Sequence, residues 1–234
     1  KNEVNSASFG TTGDGVVDDK NALQAAPSSM TAGGREYIPS GTYRLVQSPS
    51  NNAAHYVQYD DFSIAGDGAS SELKVETDTA VPVHVSKQID LGNNTQPSNV
   101  HNFLMEGMKI KGTGTYTYSA LAYGRGVLLR GVSGAIVTKN FIDDMSMIGV
   151  CSEGGAGNEE PAYIVTSNIF RNNLYSAVNF NGRCAYSIVS NNACIGSSGT
   201  ANSAAIQSDG PAVLANNTIY GDVTNYALSG GIMW

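Results

Sequence analysis

The feature that most constrains the fold is a repeat. GVLLRG (126–131), GVCSEG (149–154), AVNFNG (177–182) and AIQSDG (205–210) align with a small residue first, a β-branched residue second and glycine last, at steps of 23, 28 and 28 residues. A second column follows each of them: IVTKNFI from Ile136, IVTSNIF from Ile164, IVSNNACI from Ile188 and VLANNTIY from Val213. Within these units apolar residues alternate with a period of two rather than 3.6, which disfavours stacked helices. Two strand columns sharing one period define one coil of a parallel β-helix. An asparagine trails each second strand, at Asn140, Asn168, Asn192 and Asn217, and predicts a ladder of side-chain amides bonded from coil to coil. Weaker coils extend upstream at FLMEGMKIKG (103–112) and DFSIAGDG (61–68). Parallel strands joined by crossovers are right-handed, so the expected fold is an all-β, right-handed, single-stranded parallel β-helix. Residues 1–50 read as an N-terminal cap with the first coil, and 51–234 as one continuous run of coils. LSGGIMW ends the sequence with no polar capping segment. An uncovered coil would expose apolar interior and open strand edges, so the expectation is a fragment of a longer protein, or a partner at that end.

Alternation assigns the faces of the first strand column. Val127, Val150, Val178 and Ile206 are always apolar and point inward, with Leu129, Ser152, Phe180 and Ser208 beside them. Leu128, Cys151, Asn179 and Gln207 then point outward, followed by Arg130, Glu153, Asn181 and Asp209. Glu153 and Asp209 lie two coils apart, about 9.6 Å by strand spacing. Side-chain lean brings such a pair toward the ~6.5–9.5 Å window in which one carboxyl protonates a leaving oxygen while the other activates water. These two are the candidate catalytic residues. Arg130, Asn179, Asn181, Arg183 and Gln207 are candidates to hold sugar hydroxyls or acidic groups. Glu159 and Glu160, in the loop GGAGNEEPAY, are placed beside the same face, and Tyr175 and Tyr186 offer stacking surfaces. A polar outer face is also what a β-helix needs simply to be hydrated, and an Arg130 to Glu153 ion pair serves that end equally.

Composition removes other classes. Twenty-seven glycines, twelve tyrosines and only 14% charged residues suit short strands and tight turns. A formal charge of -7 opposes nucleic-acid binding, which needs a basic stripe to release counterions. No apolar run approaches the ~18 residues that span a bilayer, and the opening KNEVNSASFG lacks the charged and apolar blocks of a signal peptide. Cys151, Cys184 and Cys194 form no paired framework, and with His55, His84 and His101 scattered no metal-ligand spacing is evident. No metal or cofactor is expected. One helix is expected in DDKNALQAA, capped by Asp18 or Asp19 and ended by Pro27.

That helix sits in a stretch with a wider likeness. ASFGTTGDGVVDDKNALQAA followed by GGREYIPSGTYRL resembles the opening of the pectate-lyase-like superfamily of phage tailspike depolymerases, polysaccharide lyases and mannuronan C5-epimerases. Phe9, Gly10, Gly13, Asp14, Gly15, Asp18, Asp19, Gly33, Gly34, Pro39, Gly41 and Tyr43 carry the match, the last five residues in what reads as a hairpin. The resemblance implies a helical cap over the N-terminal coil, a bacterial surface or capsular polysaccharide as substrate, a homotrimer, and an extracellular or virion-surface, tail-associated location. The epimerase motif Y-G-F-D-P-H falls on Ile148 to Glu153, where only the glycine survives, so epimerisation is disfavoured. The expected activity is tailspike-like glycoside hydrolysis. The alternatives are a polysaccharide lyase acting by β-elimination on a uronate polymer, which Arg130, Arg183, Lys139 and Tyr175 keep open, and a non-catalytic glycan-binding fibre or adhesin.

Overall fold

The computed structural model describes residues 2–30, 33–46, 53–87, 99–115, 124–153, 162–181, 186–196, 204–221, 226–229 and 232–233. These residues build three parallel sheets of nine, eight and seven strands that wrap one apolar interior. A representative coil runs through Arg125–Arg130 in the seven-stranded sheet, Val132–Thr138 in the nine-stranded sheet and Phe141–Asp143 in the eight-stranded sheet. It then re-enters the seven-stranded sheet at Ile148–Glu153. Every strand pairs in parallel with its counterpart one coil away, so the chain is an all-β parallel solenoid with very little helix, as a right-handed parallel β-helix requires.

The predicted register holds residue for residue. Val127 faces Val150, Val150 faces Val178 and Val178 faces Ile206; Ile136, Ile164, Ile188 and Val213 form the second column. The inward positions are fully buried in one continuous core from Leu23 to Leu214. Burial of a Val or Ile side chain contributes about 1.5–3 kcal/mol, and a period of two repeats that gain on each strand.

The corner between the nine- and eight-stranded sheets shows why asparagine recurs. Lys139, Ser167, Asn191 and Asn216 take left-handed backbone conformations that turn the chain, and the next residue is the buried or half-buried Asn140, Asn168, Asn192 or Asn217. The Asn140 amide donates to Asn168 Oδ1 at 3.1 Å, Asn168 to Asn192 Oδ1 at 3.1 Å, and Asn192 to Asn217 Oδ1 at 3.0 Å. Each also bonds backbone, as Asn168 Nδ2 does to the Val137 carbonyl at 2.9 Å. The ladder thereby occupies the polar groups that a buried corner would otherwise leave unpaired.

The N-terminal region departs from expectation in three ways. The helix α1 spans Lys20–Ser28 and includes Pro27; near the helix end the missing N–H forfeits one bond without stopping the last turn. Asp19 occupies the cap position, yet its carboxylate turns away to accept from the backbone of Thr12 and Gly13 at 2.6 and 3.1 Å, while Asp18 accepts from Lys20 N at 3.1 Å. The segments Gly34–Ile38 and Gly41–Leu45 are not a hairpin: Pro39 and Ser40 turn a corner, and the two strands enter different sheets.

Candidate functional site

The outer face of the seven-stranded sheet gathers the polar residues that the repeat points to. Arg130 and Glu153 are register partners on adjacent coils, and Arg130 Nη2 donates to Glu153 Oε2 at 2.5 Å. The second oxygen, Oε1, is held by Arg125. Glu153 thus accepts from a guanidinium at each oxygen. This face is not the flat, solvated ladder that alternation suggests. Arg130 is only 2% exposed, Asn179 is buried, and the Glu153 side chain is largely covered. Leu128, Cys151, Val81 and Ile148 form a small apolar cluster on this outer side, and Tyr175 and Met147 pack against it. Tyr175 is therefore a packing residue before it is a stacking surface.

Two members of the cluster escaped the reading of the sequence. Strict alternation from Val127 turns Arg125 inward, but the strand departs from alternation at Gly126 and Gly149. A Cβ on Gly149 would lie 2.6 Å from the Ala177 carbonyl and 2.7 Å from the Phe170 ring, and one on Gly126 would lie 2.6 Å from the Gly149 carbonyl. That crowding requires glycine and frees Arg125 to reach Glu153. The other is His84, in the strand Val81–Val85, which pairs with Leu128 and so shares the outward column of Cys151 and Asn179. The signal was present in VPVHV, a polar residue between two inward valines.

His84 is fully buried, its ring 5.5 Å from that of Tyr56, and among the described residues neither ring nitrogen has a hydrogen-bond partner. Burial, with Arg130 and Arg125 nearby, pushes its pKa down to about 3, so the ring is neutral near neutral pH. Asn179 Oδ1 is likewise unpartnered among the described residues. Cys151 is no exposed thiol: burial first, then Glu153, push its pKa up to about 11 against the lowering pull of Arg125 and Arg130, which removes the thiolate that reactivity requires.

The remaining candidates spread along the same face. Asn181 N donates to the Ser152 carbonyl at 3.2 Å, and Asp209 N to the Phe180 carbonyl at 2.9 Å, which keeps both in the column of Glu153. Asp209 is exposed, with the half-buried Gln207 amide 3.5 Å from it. Arg183, Glu159 and Glu160 lie outside the described residues. Tyr186 belongs elsewhere, at the corner that leads into Ser187–Ser190 of the nine-stranded sheet, with Ile188 and Pro211. Among the described residues no group of three or more His, Cys, Asp or Glu side chains is placed to hold a metal ion, and no helix is long and apolar enough to cross a membrane.

The parallel β-helix is a fold shared with several polysaccharide-acting proteins, and the polar cluster on one outer sheet is the candidate site. Residues 3–115 match the family described as rhamnogalacturonase A/epimerase, pectate lyase-like, in agreement with the resemblance carried by Phe9 to Tyr43. No curated protein matches the chain. Among solved structures the fold is shared with the family 28 exopolygalacturonase of Yersinia enterocolitica, at a TM-score of 0.66 and 17% identity over 99% of this chain and 53% of that one. It is shared with ORF18 of Geobacillus virus E2, at 0.56 and 20% over 92% and 48%. The A-module of the Azotobacter vinelandii mannuronan C-5 epimerase AlgE6 has it as well, at 0.55 and 18% over 97% and 63%. The chain spans about half the length of the first two and 63% of the third.

Proposed function

We propose that this chain is the coil-bearing part of a polysaccharide depolymerase, and that the outer face of the seven-stranded sheet holds its glycan. The observation that carries the reading is the carboxylate of Glu153, fixed by two guanidinium groups in a largely buried cluster where His84 and Asn179 keep hydrogen-bonding capacity in hand. Acid/base hydrolysis needs two carboxyl groups in unlike settings. Glu153 accepts hydrogen bonds at both oxygens and Asp209 is exposed two coils on; one of the pair is assigned to protonate the leaving oxygen while the other activates water. The Gln207 amide near Asp209 and the half-buried Asn181 between the two carboxyls are assigned to sugar hydroxyls. The family match, together with a fold shared by an exopolygalacturonase and a virus protein, supports a tailspike-like hydrolase at a virion or other extracellular surface. A homotrimer is part of the same proposal.

The Arg125 and Arg130 pair favours a second reading. In β-elimination on a uronate polymer, guanidinium groups neutralise the sugar carboxylate while a base removes the adjacent proton. The two readings separate in one experiment: acidic and neutral bacterial polysaccharides are incubated with the protein while reducing ends and absorbance near the ultraviolet edge are followed together. Hydrolysis releases reducing ends alone, and Glu153→Gln with Asp209→Asn abolishes their release. Unchanged turnover in that double variant refutes the carboxylate pair. Absorbance rising with the reducing ends transfers the proposal to a lyase, and binding without shortening of any glycan leaves a recognition surface.

A further inference from the structure

We propose that the outer face of the eight-stranded sheet carries a second glycan-binding surface, in which a charge-balanced cleft takes the hydroxyls of an uncharged sugar and Tyr220 takes the apolar face of a neighbouring sugar unit. Lys111, Asp143, Arg171, Ile195 and Tyr220 stand in one register column on five successive coils. Asp144 and Asn172 follow two of these residues at the corner, both in left-handed backbone conformations. Together with Lys111, Asp143 and Arg171 they line an open cavity of about 180 Å³. None of these residues takes part in the chemistry assigned to Glu153, which lies on another sheet.

The polar groups of the cleft are fixed by one another. Arg171 holds Asp143 with two nitrogens, Nε to Oδ1 at 3.0 Å and Nη2 to Oδ2. Lys111 pairs with Oδ2 of Asp144, whose Oδ1 accepts from the Asn172 amide at 3.0 Å. Groups held in this way have little freedom left to lose when a ligand arrives. Two cations and two carboxylates sum to zero, so the cleft draws in neither a free anion nor a metal ion. It does set donors beside acceptors, and a pair of neighbouring sugar hydroxyls uses one of each. Asp143 is 2% exposed while Arg171 is 48% exposed, so a ligand meets the guanidinium edge that Asp143 leaves open. The apolar end of the column is what separates it from a plain ladder of surface ion pairs, which contribute only about 0–1 kcal/mol each. Ile195 is 40% exposed and Tyr220 73%, next in register to Arg171. A sugar ring pairs hydroxyl edges with a face of C–H groups, and this column offers a partner to both. Arg171 and Tyr220 lie two coils apart, about 9.6 Å by strand spacing, which is room to anchor one sugar unit and stack on another.

The test is biolayer interferometry of the whole chain on immobilised neutral and uronate-bearing bacterial polysaccharides, with release of reducing ends from short soluble fragments followed separately. The unaltered protein is expected to bind at least one neutral polysaccharide and to keep doing so in added salt, because a contact with an uncharged ligand is not screened. Tyr220→Ala is expected to weaken that binding about tenfold, and Asn172→Gly about threefold or more. Both variants spare the core: Tyr220 is an exposed ring, and glycine keeps the left-handed corner as Gly196 does one coil on. Weaker binding with an unchanged thermal melt and unchanged release of reducing ends therefore reports this surface and neither the fold nor the Glu153 site. A protein that shortens no glycan, yet binds one through Tyr220, fails the proposed hydrolysis and retains this surface. Failure to bind any neutral polysaccharide, binding equal in both variants to that of the unaltered protein, or binding confined to uronate polymers and dissolved by salt each overturns the proposal.

Discussion

His84 offers the sharpest test of how the outer face is built. In the unfolded chain its imidazole takes up a proton near pH 6.5; in the folded chain burial and two guanidinium groups delay uptake until about pH 3. Between these values the unfolded state binds more protons than the folded one, so stability is complete above about pH 6.5 and is lost as pH falls toward 3. The slope within the window is about 1.4 kcal/mol per pH unit, which amounts to on the order of 3 kcal/mol between pH 7 and pH 4. Carboxylates also titrate over part of this range, so the informative quantity is a difference between two proteins. Urea unfolding of the unaltered protein and of His84→Gln, each at pH 7 and pH 4, isolates it. The variant is expected to keep roughly that much more of its neutral-pH stability at pH 4, which moves the gap between the two urea midpoints by about 1 M or more. Parallel losses in the two proteins would mean that His84 accepts its proton in the folded state as readily as in water. The face would then be far wetter than its burial implies.

Two further predictions address the scaffold and the cluster. Asn168→Ala is expected to destabilise the chain by about 2–4 kcal/mol, since it leaves Asn140 N and the Val137 carbonyl of a buried corner without their partners; urea denaturation measures the loss. Cys151 and Cys194, with thiol pKa values pushed up to about 11 and about 12, are expected to resist a thiol reagent at mildly alkaline pH until the chain unfolds, and prompt labelling of either one in the native protein would contradict its burial.

The solenoid and its register were legible because a parallel β-helix writes the same demand once per coil. Val127, Val150, Val178 and Ile206 occupy equivalent environments, as do Asn140, Asn168, Asn192 and Asn217, so comparing the sequence with itself exposes both columns. The site was legible only where it follows that period. Glu153 and Arg130 do, and their pairing appears as drawn. Arg125 does not, because the departure at Gly126 and Gly149 is set by contact with Phe170 and the Ala177 carbonyl, a crowding between coils that alternation cannot express. His84 was missed for another reason: its strand lies upstream of the clear repeats, and its column is identified only through its pairing with Leu128. Burial of the outer face was illegible too, because a period of two separates inside from outside but does not say whether the outside is covered.

That burial bears on the function of Glu153. A clamp of two arginines can exist to neutralise a carboxylate that the fold has buried, or to hold a carboxylate ready as a base. An ion pair kept only for stability has weak justification in a largely buried place, since well-packed apolar residues of similar volume commonly do as well or better. The surroundings of Glu153 supply those residues already, in Leu128, Cys151 and Ile148. Retaining three charged groups beside an apolar cluster is costly for a solvated ladder and reasonable for a site whose ligand meets the part of Glu153 that stays exposed. Under the proposed function the rigid coil spacing is the positioning device. Val150 and Ser152 point inward on either side of Cys151 and fix the strand from beneath, so Glu153 and Arg130 are held one strand spacing apart by the core itself.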